Sequence, residues 1–380
     1  WLDDYGTVAV TYGGSVEVSG SASVYPYAYF DVVYGSSLYV YGSFHQDWSA
    51  NSTFYQGAYV AVELSGSAYF DGYLYVEDYS TFHVYGDVDF DYSSSAEVRY
   101  SGELHVESGG SLSIANYLNL VDSGYLYVRG DMTLDGYLYV YGYSQVYVEF
   151  GGTLTVNNLR NTANGTIVGD GGRLHVTGVF TNAGDLNLTN ARGTFGGAVV
   201  NSGTWITDPS TFTFSGTFSN APGSSFLTSG DTYIFRSNFI NQISVATDYD
   251  TVTTKFIFDG GVSNVGTQLM QVAGLSLGAF GAALSGAQTN PVFFTHTDAQ
   301  VYSTNAFAYR FEPIPGFTNN FALGSLAVQN ASTLLLLDNI EDPHNAGAIL
   351  RSAEVFGFRA VLLARRGVPD IYPSVVKVSA

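Results

Sequence analysis

Residues able to do chemistry gather near the C-terminus, where NIEDPHNAGAILRSAEVFG (339–357) carries Asn345 and Arg351. Asn345 falls where a helix N-cap belongs, just ahead of Ile349, Leu350, Ala353 and Phe356, which recur at helical spacing, and Gly357 supplies the stop. The apolar run TLLLLD (333–338) before it and FRAVLLA (358–364) after it fit strands buried on both faces. Strand, turn, helix and strand make a βαβ unit, which requires a parallel sheet. Such a unit sets Asn345 and the helix start at the carboxyl end of the first strand, where ligands of α/β sheets bind.

A second set of candidates is aromatic. In GYLYV the residues Leu126, Val128, Leu138 and Val140 point one way, and Tyr125, Tyr127, Tyr137 and Tyr139 point the other. Outward tyrosines of stacked rungs form flat strips that bind sugar rings or another surface. The same stacking also stabilises neighbouring rungs with nothing bound. Asp87, Asp89 and Asp91 alternate with Val88 and Phe90, so they lie on a strand, roughly 6.6 Å apart. Calcium needs six to eight converging oxygens at about 2.5 Å, and no metal site is expected there. His45, His83, His105 and His175 stand singly and read as solvated strand residues. GDGGRLHVTG (169–178) lacks the lysine of a phosphate loop.

The elements that position these residues follow from composition and period. The 380 residues carry 13 Lys+Arg against 33 Asp+Glu, a formal charge of −20, with no Cys and no apolar run long enough to span a membrane. That balance argues against a nucleic-acid surface on the repeat region, and the lack of Cys removes disulfides and thiolate chemistry. Residues 1–159 hold 19 acidic residues and only Arg99 and Arg129, whereas 339–380 is net +1. Trp1 in place of Met, and an apolar pattern running into VVKVSA, fit a fragment of a longer chain.

Strict alternation dominates residues 15–160. Inward pairs such as Leu74/Val76, Phe82/Val84, Leu104/Val106, Leu118/Leu120 and Met132/Leu134 are separated by Gly, Ser and Asp turns. A sandwich closes with about seven to nine strands, and this region offers more than a dozen. Asn164-Gly165, Asn182, Asn201 and Asn220 then recur at intervals of 18, 19 and 19 residues. One corner returning at that interval is what a coil stacking on the last at about 4.8 Å produces, and Asn and Gly tolerate the φ > 0 of a corner. The expected fold is all-β: a right-handed β-solenoid (parallel β-helix) with a short C-terminal βαβ segment. Its expected divisions are Tyr-rich acidic repeats over 1–160, Asn/Gly-corner repeats over 161–245, irregular β over 246–333, and the βαβ segment over 334–380.

Two resemblances add to this reading. NNFALGSLAVQNASTLLLLDN (319–339) resembles a segment of secreted, surface-bound repeat proteins of planctomycetes and related bacteria, with looser likeness over 150–338. LLLLDNIEDPHNAGAILRSAEVFGFRAVLLARRG (334–367) resembles the first motif of SpoU-type RNA 2′-O-ribose methyltransferases, and SVVKVSA (374–380) looks like the start of the next helix. The SpoU resemblance implies that Asn345 organises the active-site loop and that Arg351 engages the RNA backbone and helps activate the ribose hydroxyl. It implies S-adenosylmethionine as methyl donor, held by later motifs outside this stretch. The apolar strand LLLLDN can end the first phrase or begin the second equally well.

The leading expectation is an extracellular, non-enzymatic surface or adhesin-like solenoid that contacts polysaccharide or cell-surface material without cofactor, followed by an incomplete and inactive SpoU-type segment. The alternative is a cytoplasmic SpoU-type RNA methyltransferase fragment with an unusual N-terminal extension, taking S-adenosylmethionine and RNA.

Overall fold

The structure, a computed structural model, describes residues 2–4, 6–228 and 230–241, short strands between 246 and 337, residues 342–356, and the strand Ala360–Leu363. Three strands make each coil. The strand Asp131–Val140 covers two faces, bending at a bulge between Leu134 and Tyr137, and Gln145–Val148 forms the third. One coil later Thr153–Asn161 and Thr166–Asp170 repeat the plan, pairing Met132 with Leu154, Leu138 with Leu159 and Val146 with Ile167. Every pairing between described strands is parallel, and the coils number about 11. The expected β-solenoid is the fold. Within residues 2–241 register pairs lie 19 to 24 residues apart, from Arg173↔Arg192 to Ser43↔Ser67.

The 14-residue recurrence of Leu104, Leu118, Met132 and Val146 is not the coil. It steps across two faces at a time, so these residues fall on the third, second, first and third faces in turn. All four are buried. Most faces of each coil send two such side chains inward, and at about 25 cal/mol per Å² this continuous apolar column is the main stabilising term. The column turns aromatic past residue 180. Gly193 occupies an inward position between Leu174 and Phe212, and a Cβ there would lie 2.5 Å from the Phe212 ring. The missing side chain is the space that ring fills. Trp205 packs against Phe195 of its own coil and Phe212, Phe214 and Phe218 of the next.

The asparagine corner corrects the expectation in two ways. The ladder opens with Asn161, Asn182, Asn201 and Asn220, so its first member is Asn161 and not Asn164. None of the four has positive φ. All four amides are buried, and the Nδ2 of Asn161, Asn182 and Asn201 each donates to the Oδ1 of the next coil, at 2.8, 2.9 and 3.1 Å. The second proton of each Nδ2 goes to a backbone carbonyl, of Asp185, Thr204 and Ser225 respectively. Asparagine is required for a stacked amide, not for a turn.

Pairs of successive positive φ sit instead at the corner between the second and third faces. Tyr34 and Gly35 have φ 56° and 68°, Asp78 and Tyr79 51° and 62°, Tyr100 and Ser101 51° and 63°. Two successive positive values mark a type I′ turn. These turns stack through Gly35 N–H to Gln56 O and Tyr100 N–H to Asp122 O, both 3.0 Å.

Near the C-terminus Leu334–Leu337 pairs in parallel with Ala360–Leu363, around the helix Pro343–Val355. The βαβ unit is therefore present. Asn345 is not its N-cap. The helix starts earlier, with Ala346 N–H donating to Asp342 O at 3.0 Å and Pro343 at the first helical position, where a fixed φ and a missing N–H do no harm. The expected apolar face is also revised: Ala346 and Ala353 are buried, whereas Phe356 is 78 % exposed. Gly357 and residues 374–380 lie outside the described residues.

Candidate functional site

The coil carries the tyrosines of sequence interest onto two different faces. Tyr125 and Tyr127 belong to the third face and Tyr137 and Tyr139 to the second, so they form two surfaces and not one strip. On the third face, residues in register down the solenoid make a ring stack. His83 lies on His105 at 4.4 Å, His105 on Tyr127 at 4.4 Å, and Tyr127 on Tyr147 at 4.9 Å, with interplanar angles of 12°, 9° and 5°. Tyr59 continues the stack above His83 at 5.0 Å, and Ala61, in the row itself, is buried. His83 and His105 are thus not the isolated, solvated residues expected. They are 22 positions apart in sequence and adjacent in space because one coil is 22 residues long here. Burial, with the Glu103 carboxylate nearby, pushes the Tyr127 hydroxyl up to about 12, so it stays a neutral donor in ordinary buffers.

The second face carries a groove of about 660 Å³. Its wall is a run of rings along one strand: Tyr137 on Tyr139 at 5.2 Å and Tyr139 on Tyr141 at 5.5 Å. Its floor is set by the register. Tyr137 pairs with Asn158 and Tyr139 with Arg160, and Arg160 pairs with Thr181 one coil further on. Outward side chains shrink from tyrosine to Asn and Arg and then to Thr, and the step leaves a concave shelf beside exposed ring edges. Asn158 Oδ1 accepts from Val179 N–H at 2.9 Å, fixing the amide on that floor. Tyr137 is 47 % exposed, and Arg160 is exposed at the groove's edge. A wall of aromatic edges with an amide and a guanidinium beside it can pack against the apolar side of a sugar ring and hydrogen-bond its hydroxyls.

Asp87 and Asp89 lie exposed on the strand Asp87–Phe90, with Val88 and Phe90 inward. Asp91 accepts from Tyr69 Oη at 2.8 Å, and hydrogen bonds from Tyr92 N–H and Tyr69 hold its carboxyl below the usual range.

Asn345 and Arg351 are both exposed on the helix Pro343–Val355, whose buried residues include Ala346 and Ala353. Six positions apart, they lie about 9 Å from each other along the axis and about 120° apart around it. No described helix is long and apolar enough to cross a membrane.

The sequence profile of the SpoU rRNA Methylase family matches residues 332–380. The chain is 48% identical over 50 residues to an uncharacterized tRNA/rRNA methyltransferase of Synechocystis sp., covering 13% of each chain. It is 45% identical over 51 residues to the 23S rRNA (guanosine-2'-O-)-methyltransferase RlmB of Coxiella burnetii, covering 13% of this chain and 20% of that one. The chain thus spans a fifth or less of the length of these two curated relatives.

Proposed function

We propose that the solenoid is a non-enzymatic, adhesin-like surface element that binds polysaccharide, and that its binding site is the Tyr137–Tyr139 groove. The observation that carries this reading is the run of stacked tyrosine rings, with exposed edges, beside Asn158 and Arg160, a layout suited to apolar sugar surfaces and hydroxyls. Such a surface acts outside the cell or on its envelope and takes no cofactor. The test is retention of the full 380-residue chain on insoluble polysaccharides. Binding is expected to fall at least tenfold when Tyr137 and Tyr139 are both changed to Ser. Absent retention, or retention unchanged in that variant, sinks the reading.

The second reading rests on the family match over 332–380 and treats this segment as part of an RNA 2′-O-ribose methyltransferase, with Asn345 and Arg351 in its active site. S-adenosylmethionine would be its methyl donor and RNA its substrate, in the cytoplasm. Under the first reading this segment does no methyl transfer. Calorimetry of S-adenosylmethionine against the 380-residue chain separates the two: no heat is expected, and a saturable micromolar site would favour the enzyme.

A further inference from the structure

On the third face, away from the groove, the coil brings together donor atoms that no stretch of sequence does. His83 and His105 share one register position in adjacent coils, and Glu107 reaches back across both. Glu107 Oε1 lies 2.9 Å from His83 Nδ1 and 3.9 Å from His105 Nδ1. One ligand atom from each of the three residues falls within 4.8 Å of the others.

Protonation follows from the partners. His105 Nε2 lies 2.8 Å from Glu103 Oε2, and a carboxylate only accepts, so Nε2 carries the proton and Nδ1 keeps a bare lone pair. That Nδ1 is buried without a hydrogen-bond partner, and His105 is only 9% exposed. An unsatisfied buried acceptor is destabilising. Its nearest polar neighbour, Glu107 Oε1, is another acceptor and cannot relieve it. Two acceptors facing one point call for a cation.

We propose that His83 Nδ1, His105 Nδ1 and Glu107 Oε1 bind one divalent transition-metal ion of the zinc type. Imidazole and carboxylate are ligands of that class, and tetrahedral bonds of about 2.0–2.1 Å place ligand atoms about 3.3 Å apart, between the two distances seen here. Each lone pair lies in its ring plane, so the parallel His rings splay on binding. The outer carboxylates stand where such sites have them. Glu103 holds His105 Nε2, and Arg129 Nη1 holds Glu107 Oε2 at 3.1 Å, leaving Oε1 for the ion. Arg129 is itself held by Glu149 through Nε at 2.6 Å. The ion takes the place of the proton between His83 Nδ1 and Glu107, and in the neutral imidazole that proton moves to Nε2, which faces away from the ion. Three protein ligands leave a fourth position for water.

The test titrates untagged, chelator-treated full-length chain with zinc chloride by calorimetry at pH 7.5, and with cobalt(II) chloride by visible absorption. One equivalent should bind with micromolar affinity, and cobalt should show the intense bands of a tetrahedral site. His105→Phe keeps a ring in the stack but removes Nδ1, and Glu107→Gln keeps the shape but weakens the oxygen ligand. Each should lower affinity tenfold or more. Glu103→Gln leaves all three ligands and should still weaken binding about 10- to 100-fold. Changing His45 and His175 to Ala should alter nothing. No stoichiometric binding, or binding that survives both His105→Phe and Glu107→Gln in protein with unchanged β circular dichroism, overturns the proposal.

Discussion

Asn182 gives both amide protons to neighbours, one to Asn201 Oδ1 and one to Thr204 O, and receives a third hydrogen bond from Asn161. Asn182→Ala leaves Asn201 Oδ1 and a backbone carbonyl unsatisfied in the interior, and should destabilise the surrounding coils by about 2–4 kcal/mol. Repeat coils couple mainly to their neighbours, so the loss belongs to that neighbourhood. Amide exchange should quicken over residues 161–220 and stay unchanged around Leu38 and Phe54.

A second residue-scale expectation concerns acid. Burial holds the His105 imidazole below its ordinary 6.5, even with Glu103 beside it and His83 opposing a second charge. A folded value below the unfolded one stabilises the protein above pH 6.5 and is lost as pH falls through it. Burial works to raise the Glu107 carboxyl, but hydrogen bonds from His83 and Arg129 outweigh it and hold it below 4.5, so its contribution is lost only further into acid. The groups facing His105 are His83, Tyr127, Glu103, Glu107 and Arg129. Stability should therefore decline in two steps, and His105→Phe should abolish the upper one in thermal melts between pH 7 and 5. An unchanged upper step would contradict this assignment.

At the scale of elements, one glycine shows how closely the coils stack. A Cβ on Gly110 would lie 2.0 Å from the Val84 carbonyl oxygen of the coil before, and a backbone atom cannot swing aside. Gly110→Ala should cost several kcal/mol, read as a fall in the urea midpoint. Gly20→Ala, with nothing within 4 Å of the added carbon, serves as the mild comparison. What was legible here was alternation, because burial on one face imposes period 2 whatever the partner strand. Leu118/Leu120 and Val146/Val148 could be read inward from sequence for that reason, and both pairs are buried. Which strand lies beside which was not legible in the Tyr-rich half, because coils there vary between 20 and 24 residues and hide the period. The turns at Tyr34, Asp78 and Tyr100 were missed for a related reason. Tyrosine has no preference for positive φ, and the stacked backbone imposes it. The helix starts three residues before the expected point, because Asn345 has cap chemistry while Pro343 fixes the backbone sooner.

For the whole molecule, the coil converts a sequence separation of about twenty into a contact. His83 with His105, Tyr139 with Arg160, and the asparagine ladder all depend on that conversion, and neither the groove nor the metal cluster exists without it. Sequence could name Tyr137 and Tyr139 as candidates from their outward phase. It could not assemble His83, His105 and Glu107, since no local spacing announces them. The absence of native cysteine offers a clean probe. Ser113 and Thr133 face one another in adjacent coils, and Thr155 sits opposite Thr133 one coil on. Neighbouring parallel strands lie about 4.8 Å apart, within disulfide reach, whereas two coils span roughly 9.6 Å, beyond it. The decisive measurement is free-thiol content after mild oxidation of the double variants. Ser113→Cys/Thr133→Cys is expected to lose both thiols within one monomer while Ser113→Cys/Thr155→Cys keeps them; persistence of thiols in the first, or bridging in the second, would contradict the coil register.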